Sequence, residues 1–444
     1  MAVAETLALR ARAAAPSGVS PGAVALALAV PFLFLHVKYQ PGVRVPLGST
    51  HLGLELSDLA VVVVALAALR EGLRSGFALL RPALPLWIAS VALVLWILVR
   101  SESLVHLVTA AKFSEYALLA FSAPLILRRR ADWELVAAAV VAWSAAATCF
   151  ALLQFFGVHM AGAWAAGRRQ PSFLGHSDFA ALSALTLGIG FAGVLLANRQ
   201  VAWIGIAAGA LGVILSGASA GLIGIAAATV ALLYAISRRR RLVLRDLVVS
   251  GTVVAVVAGG VLVLRAGDFE NFLRFLHLKG KEAQTSNIET YSHHALLAYI
   301  GYRIWHDHPI AGAGWQASTD PAVVDPELPA ARKKFPDVAP LAFPTSAHEW
   351  GVQNAYIQAA ADLGLIGLVL WLAPFAIAIV LAFRANAPPG VVAAFAALSA
   401  MGIWGAQGLV AGIPLDAVTW LGFGLAATAA AQRSRVAAGG KWDA

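Results

Sequence analysis

The feature that most constrains this chain is the recurrence of apolar runs about as long as a bilayer is thick. They lie near 20–37, 54–69, 82–99, 104–127, 132–156, 177–197, 201–216, 219–237, 246–265, 353–382, 389–409 and 413–431. A hydrocarbon core of roughly 30 Å is crossed by about 20 apolar residues in a helix. Inside that core each backbone N–H and C=O needs a partner within the protein, which a helix supplies from itself. The runs therefore predict an all-α polytopic membrane protein with about 12 transmembrane helices. Composition agrees: 60% of residues are hydrophobic and 12% charged, outside the range of a soluble globular domain. The runs are rich in Ala and Gly among Leu, Val and Ile, which suits close helix packing in lipid.

The net charge of +9 is accounted for by where the arginines fall. Arg70, Arg74 and Arg81, Arg128 to Arg130, Arg199, Arg238 to Arg241 with Arg245, Arg384, and Arg433 with Arg435 occupy alternate short connections. Such connections face the cytoplasm, which places both termini there and the chain in the inner (plasma) membrane. The run "SRRRRLVLR" at 237–245 is read as a topology signal that also attracts anionic membrane lipids. No nucleic acid is expected as a partner. The first run has Arg10 and Arg12 ahead of it and no small-residue cleavage site behind it, and reads as an anchor. Cys149 is the single cysteine, so no internal disulfide is expected.

This topology divides the chain into nine spans within 1–265, an outer segment at 266–352, and three spans with a cytoplasmic end within 353–444. The outer segment is expected to be an ordered loop with amphipathic helices between the ninth and tenth spans. In "HALLAYIGYRIWHDHPIAGAGW" at 294–315, Leu297, Ile300, Ile304 and Trp305 share the apolar side of a helix that runs into a Pro and Gly turn. The stretch "PELPAARKKFPDVAPLAFP" at 326–344 reads as an extended, mobile lid. Its exit, "VQNAYIQAAADLGLIGLVLWL" at 352–372, begins with Gln353, Asn354 and Gln358 on one face and ends as a membrane span.

Three motifs together resemble the O-antigen ligase and polymerase (Wzy-like) superfamily of membrane glycosyltransferases. The loop exit Gln353-Asn354-Ala355-Tyr356-Ile357-Gln358, followed by Asp362, Gly364, Gly367 and Leu368, resembles His-Asn-x-x-Leu-Gln-x-x-x-Glu-x-Gly-x-x-Gly-Leu. The turn "HDHPIAGAG" at 306–314 resembles a Pro-x-x-Gly-x-Gly turn after an amphipathic helix. The third, "RQPSFLGHSDFAALSAL" at 169–185, resembles an Arg-led Phe-x-His-Pro-Asn element and keeps its arginine as Arg169. The chain departs from the family pattern in three places. Gln353 stands where the family has histidine, His294 where an arginine often precedes the loop helix, and Ser216-Gly217-Ala218-Ser219-Ala220 lacks the arginine of a Ser-Arg-Gly element.

The resemblance implies transfer of a glycan from a polyprenyl diphosphate carrier to an acceptor hydroxyl on the outer face, with no cofactor, nucleotide donor or metal. Partners are then a lipid-linked oligosaccharide donor, a lipid or glycan acceptor and membrane lipids. Charge on the leaving diphosphate calls for guanidinium groups, and the acceptor proton calls for a base. Arg168, Arg169 and Arg303 are candidates for the first role; lipid-headgroup anchoring and a loop salt bridge are their alternatives. His348, with Glu349 beside it, and His294 are candidates for catalysis, His294 also as a cation in the phosphate slot. Gln353, Asn354, Gln358, His176 and Asp178 are candidates for substrate binding, with loop-tying amides and an N-cap at Asp178 as the plainer readings. His306 and His308 diverge at a helix end, so no metal site is expected. Lys112 and Glu115, three apart, are read as a buried ion pair. Ligase and polymerase differ in acceptor, a cell-surface molecule such as lipid A core against another lipid-linked repeat; the ligase is the expected activity, with the polymerase as its alternative. A transporter or flippase of lipid-linked sugars is the rival, to be marked by inverted repeats that the sequence does not display.

Overall fold

The computed structural model describes residues 18–47, 50–197, 199–276, 278, 290–345, 348, 350–385, 387–409 and 413–437. Helix α1 (Pro21–Leu33) leads to a hairpin of β1 (Gly42–Leu47) and β2 (Thr50–Glu55). Then follow α2 (Leu56–Ser75), α3 (Leu84–Val99), α4 (Leu104–Glu115), α5 (Ala117–Ile126), α6 (Arg130–Phe155), α7 (His176–Phe191), α8 (Trp203–Ser216), α9 (Ser219–Ser237) and α10 (Leu244–Leu264). The segment after α10 holds α11 (Ala266–Phe275), α12 (Thr290–Asp307), α13 (Pro321–Val324) and α14 (Leu328–Lys334). The chain closes with α15 (Ala355–Ala385), α16 (Pro388–Trp404) and α17 (Ile413–Ala437).

The architecture is that of a mainly helical polytopic membrane protein. Among the described residues, 7 helices are long and apolar enough to cross a bilayer, and Pro21–Leu33, Gln200–Ser216 and Pro388–Trp404 are shorter apolar helices. Two departures from the expected runs stand out. The run expected from residue 54 begins as strand β2, paired antiparallel with β1 from Gly42↔Glu55 to Leu47↔Thr50. The run at 104–127 is divided at Tyr116 into α4 and α5.

Helix α7 is buried along most of its length, whereas α10 exposes most of its surface. Small residues make the inner packing possible. A Cβ at Gly209 of α8 would lie 2.7 Å from the Leu187 backbone nitrogen of α7, so the two backbones touch. Lys112 pairs with Asp58 and lies 3.9 Å from Glu55 and 4.0 Å from Glu115. The expected Lys112–Glu115 pair is thus one edge of a four-residue cluster joining α4 to α2.

Helix α15 is broken where the sequence changes character. Gly364 has φ 71 and ψ −170, outside any helix. The turn at 309–314 inserts at the break: Leu365 donates to the Pro309 carbonyl at 2.9 Å and Ile366 to Ile310 at 3.3 Å. In return Ala313 donates to the Ala361 carbonyl at 2.8 Å and Gly314 to that of Asp362 at 2.9 Å. Trp96 Nε1 of α3 supplies the freed Leu363 carbonyl at 3.1 Å. The unwound turn is therefore satisfied by protein, as it must be near lipid.

The loop helices have an apolar cluster of their own, centred on Leu296, Leu297, Ile300, Ile304, Val324 and Phe343. The stretch 326–344 is not the extended lid expected. It forms α14 and buries Ala331, Val338, Ala342 and Phe343, because its apolar residues have the α12 face to pack on.

Candidate active site

The loop at 157–175 is held by two buried glutamines. Gln154 donates from Nε2 to the Met160 carbonyl at 2.7 Å and to that of Ser172 at 3.2 Å, and its Oε1 accepts from the Ser172 nitrogen at 2.9 Å. Gln170 donates to the Ala165 and Arg168 carbonyls, both at 3.1 Å, and accepts from the Trp164 nitrogen at 3.0 Å. Both amides are fully used, so the loop is fixed on either side of Arg169. The Arg169 guanidinium sits over the Trp164 ring, 5.0 Å from its centroid.

A second guanidinium arrives from the end of α10. Arg265, 5% exposed, donates from Nη1 to the Gly217 carbonyl at 3.1 Å and to Ser219 Oγ at 3.2 Å. Its Nε donates to Asp268 at 2.7 Å, and it lies 4.9 Å over the Tyr291 ring. Tyr291 Oη in turn is 2.9 Å from Ser219 Oγ. The Nη2 atom is buried and has no hydrogen-bond partner among the described residues. Gly217, in the left-handed region at φ 63, is the spacer: a Cβ there would lie 2.8 Å from the Arg169 Cβ and 3.5 Å from the Arg265 Cδ. Burial, and then the charge of Arg265, holds the Arg169 pKa below its ordinary value. Two cations forced together in this way favour a multiply charged anion between them.

Arg265 is absent from the residues singled out in the sequence. The signal was there: it ends the apolar run at 246–265 on the side away from the arginine-rich connections.

His294 of α12 completes the group. Its Nδ1 is 3.1 Å from the Gln353 carbonyl, which can only accept, so Nδ1 carries the proton and Nε2 keeps a lone pair. Burial lowers the His294 pKa; the Gln353 bond opposes this, and the charges of Arg265 and Arg169 add to the lowering. Burial and the two arginine charges thus favour the neutral imidazole over the cation. His176, at the start of α7, packs edge-on against Trp164 at 5.3 Å, with Nε2 buried and unpartnered among the described residues.

Other candidates fall around this cluster. His348 is exposed and stacks on Trp350 at 6.0 Å, while His293 packs edge-on against the same ring at 5.0 Å. Glu349 lies outside the described residues. Asn354 caps α15 through Oδ1, accepting from Tyr356 and Ile357 at 3.1 Å, and donates to the Gly405 carbonyl at 2.9 Å. Gln358 donates to Asp362 at 3.0 Å and accepts from the Leu409 nitrogen at 2.6 Å. Both amides tie helices together. Asp178 does not cap α7, whose N-cap is Gly175; its carboxylate accepts from the Leu415 nitrogen of α17 at 3.0 Å. It is the third residue of the helix, and its carboxylate joins α7 to α17. Arg303 is paired with Glu327 in the loop cluster, and Arg168 is exposed. Among the described residues no group of three or more His, Cys, Asp or Glu side chains is arranged to hold a metal ion.

Two guanidiniums beside a neutral imidazole can bind a diphosphate and accept a proton from a hydroxyl. No curated protein matches the chain. Residues 204–372 match the family model described as O-antigen ligase. That segment runs from α8 to α15 and contains Gly217, Arg265, Tyr291, His294 and Gln353, whereas Arg169 and His176 lie outside it, on its N-terminal side. Over this segment the chain is similar to the O-antigen ligase family.

Proposed function

We propose that this protein is a glycosyltransferase that moves a glycan from a polyprenyl diphosphate carrier to a cell-surface acceptor, such as a lipid A core, on the outer face of the inner membrane. The observation that carries the reading is the approach of Arg169 and Arg265 on either side of Gly217. The donor diphosphate lies between the two guanidiniums, with the unpartnered Nη2 of Arg265 as one donor to it. His294 Nε2 takes the acceptor proton. As the acceptor oxygen bonds to the sugar's anomeric carbon, the bond from that carbon to the phosphate oxygen breaks, and the carrier diphosphate leaves into the field of the arginines. His348, across Trp350 from His293, is the second candidate base, with Glu349 beside it. His176 and Gln353 border the group and Asn354, Gln358 and Asp178 position it; Arg168 and Arg303 approach the substrates from the rim.

Purified protein incubated with a lipid-linked oligosaccharide and either a lipid A core or a second lipid-linked repeat tests the reading. Transfer to the core identifies a ligase, and chain growth on the second repeat identifies a polymerase. Absence of transfer to both, with the donor bound and carried across vesicles, would establish a transporter of lipid-linked sugars instead.

A further inference from the structure

Helix α11 carries an apolar side that the described residues cover only in part. In AGDFENFLRF, Phe269, Phe272 and Leu273, with Leu276 just beyond the last turn, lie along one side; Glu270, Asn271 and Arg274 lie along the other. Phe269 and Phe272 pack on Tyr291 at 5.6 and 5.1 Å, and Phe275 stacks on Phe335 at 6.0 Å. Leu273 and Leu276 remain 41% and 46% exposed. On the opposite side Arg274 pairs with Glu270 at 2.9 Å.

What lies against the uncovered leucines follows from where the helix starts. Helix α10 carries no charged residue after Asp246 and exposes most of its surface, so it faces lipid, and Val263 near its end is 80% exposed. Arg265 is the single residue between α10 and α11. The second helix therefore begins at the depth where the first leaves the hydrocarbon. A ten-residue helix with one apolar and one charged side, starting at that depth, has the lipid boundary as its nearest apolar phase.

We infer that α11 lies in the interfacial plane of the membrane, with Leu273 and Leu276 among the acyl chains and Glu270 and Arg274 in water. The partner is the lipid surface itself. Because Phe269 and Phe272 touch Tyr291, over which Arg265 sits, the depth of α11 also sets the position of that pair relative to the bilayer. This consequence rests on the proposed function, since it matters to a substrate anchored in the same leaflet; the insertion itself does not.

The test uses the full chain with Cys149→Ser and one cysteine at a time: Gly267→Cys, Leu273→Cys, Arg274→Cys and Leu276→Cys, with Val263→Cys and Lys333→Cys as lipid and water references. A side chain at Gly267 meets nothing within 4 Å, so that label is tolerated. Each protein is spin-labelled, reconstituted in phosphatidylethanolamine–phosphatidylglycerol vesicles without substrate, and probed with oxygen and a water-soluble nickel chelate. Labels at 273 and 276 are expected to match the Val263 reference, several-fold more oxygen-accessible relative to nickel than those at 267 and 274. Nickel access at 273 and 276 equal to the Lys333 reference would overturn insertion. Shielding of both from both reagents would overturn it too, by placing protein over the leucines. With no substrate present, failure of the transfer reaction and failure of insertion are read separately.

Discussion

Arg265 donates from Nη1 to the carbonyl oxygen of Gly217 at 3.1 Å, which plants a guanidinium from the end of α10 on the turn that ends α8. In the resembled family an arginine belongs to that turn's own sequence. Here Gly217 and Ser219 occupy the turn, and the charge reaches it from 48 residues further along the chain. Gly217 is what admits it, because its missing side chain leaves the space into which Arg169 packs.

Removing this charge tests the clamp. Arg265→Gln is expected to lower the transfer rate by about 10²–10³-fold, the range for losing one preorganised donor to a developing anion. Arg265→Lys keeps the charge without the planar fork and should fall between the two. Initial rates are compared with thermal unfolding of each variant, since Asp268 loses a partner at 2.7 Å. A wild-type rate in Arg265→Gln would remove Arg265 from the site.

The neutral state of His294 predicts the shape of the acid limb. Its pKa lies below 6.5 in the folded protein, chiefly through burial. A base of this kind is fully available above its ordinary pKa, and activity is lost as pH falls through the lowered one. Arg265→Gln removes a charge that helps the lowering, so in the residual activity of that variant the limb should move to higher pH. His294→Gln should abolish the limb along with most of the rate. Its neighbour His293, pushed down to about 4 by burial and then by the charge of His294, governs stability instead. That contribution is complete above pH 6.5 and is lost as pH falls through about 4, so unfolding in detergent should show an acid transition that His293→Phe removes.

Gly217→Ala isolates the spacer. A left-handed conformation costs a non-glycine residue roughly 1–2 kcal/mol, and the added Cβ would lie 2.8 Å from the Arg169 Cβ. A modest drop in thermal stability is expected together with a larger drop in transfer, because Arg169 is displaced. Ser219→Ala keeps the glycine and removes an acceptor of Arg265; an equal loss of transfer there would assign the effect to the turn's contacts with Arg265 and not to the space at residue 217.

The fold was legible in the sequence where one physical rule dominates. Apolar runs of span length became helices because lipid leaves the backbone few alternatives, and the loop helix with Leu297, Ile300 and Ile304 on one side buried them as its spacing implies. Arg169 was legible because a motif marks it. Arg265 was not, since its partners Gly217 and Tyr291 are joined to it only by tertiary structure. The same holds for Asn354 and Gln358. Spacing placed them on one face, but only the fold shows that Gly405 and Leu409 take up their hydrogen bonds. The lid reading of 326–344 rested on prolines and lysines and missed that Val338 and Phe343 had somewhere to go.

The break in α15 gives the last prediction. At Gly364, φ is 71, and an added Cβ would run into the Ile310 carbonyl, so both the conformation and the space demand glycine. Gly364→Ala must either straighten the helix or expel the turn at 309–314; in each case the Leu365 and Ile366 bonds to Pro309 and Ile310 are lost. Arg100 Nη2, which donates to the Gly312 carbonyl at 3.0 Å, would lose its partner as well. Gly251→Ala is the matched control, because a Cβ there meets nothing within 4 Å and alanine is about 1 kcal/mol the better helix former. Hydrogen exchange should accelerate strongly across 309–314 and 361–366 in the first variant and stay unchanged in the second. Since the turn ends α12, the His294–Gln353 contact should loosen with it, and transfer should fall although residue 364 touches neither side chain. Equal exchange in the two variants would mean that the break is a local bend carrying no constraint on the loop.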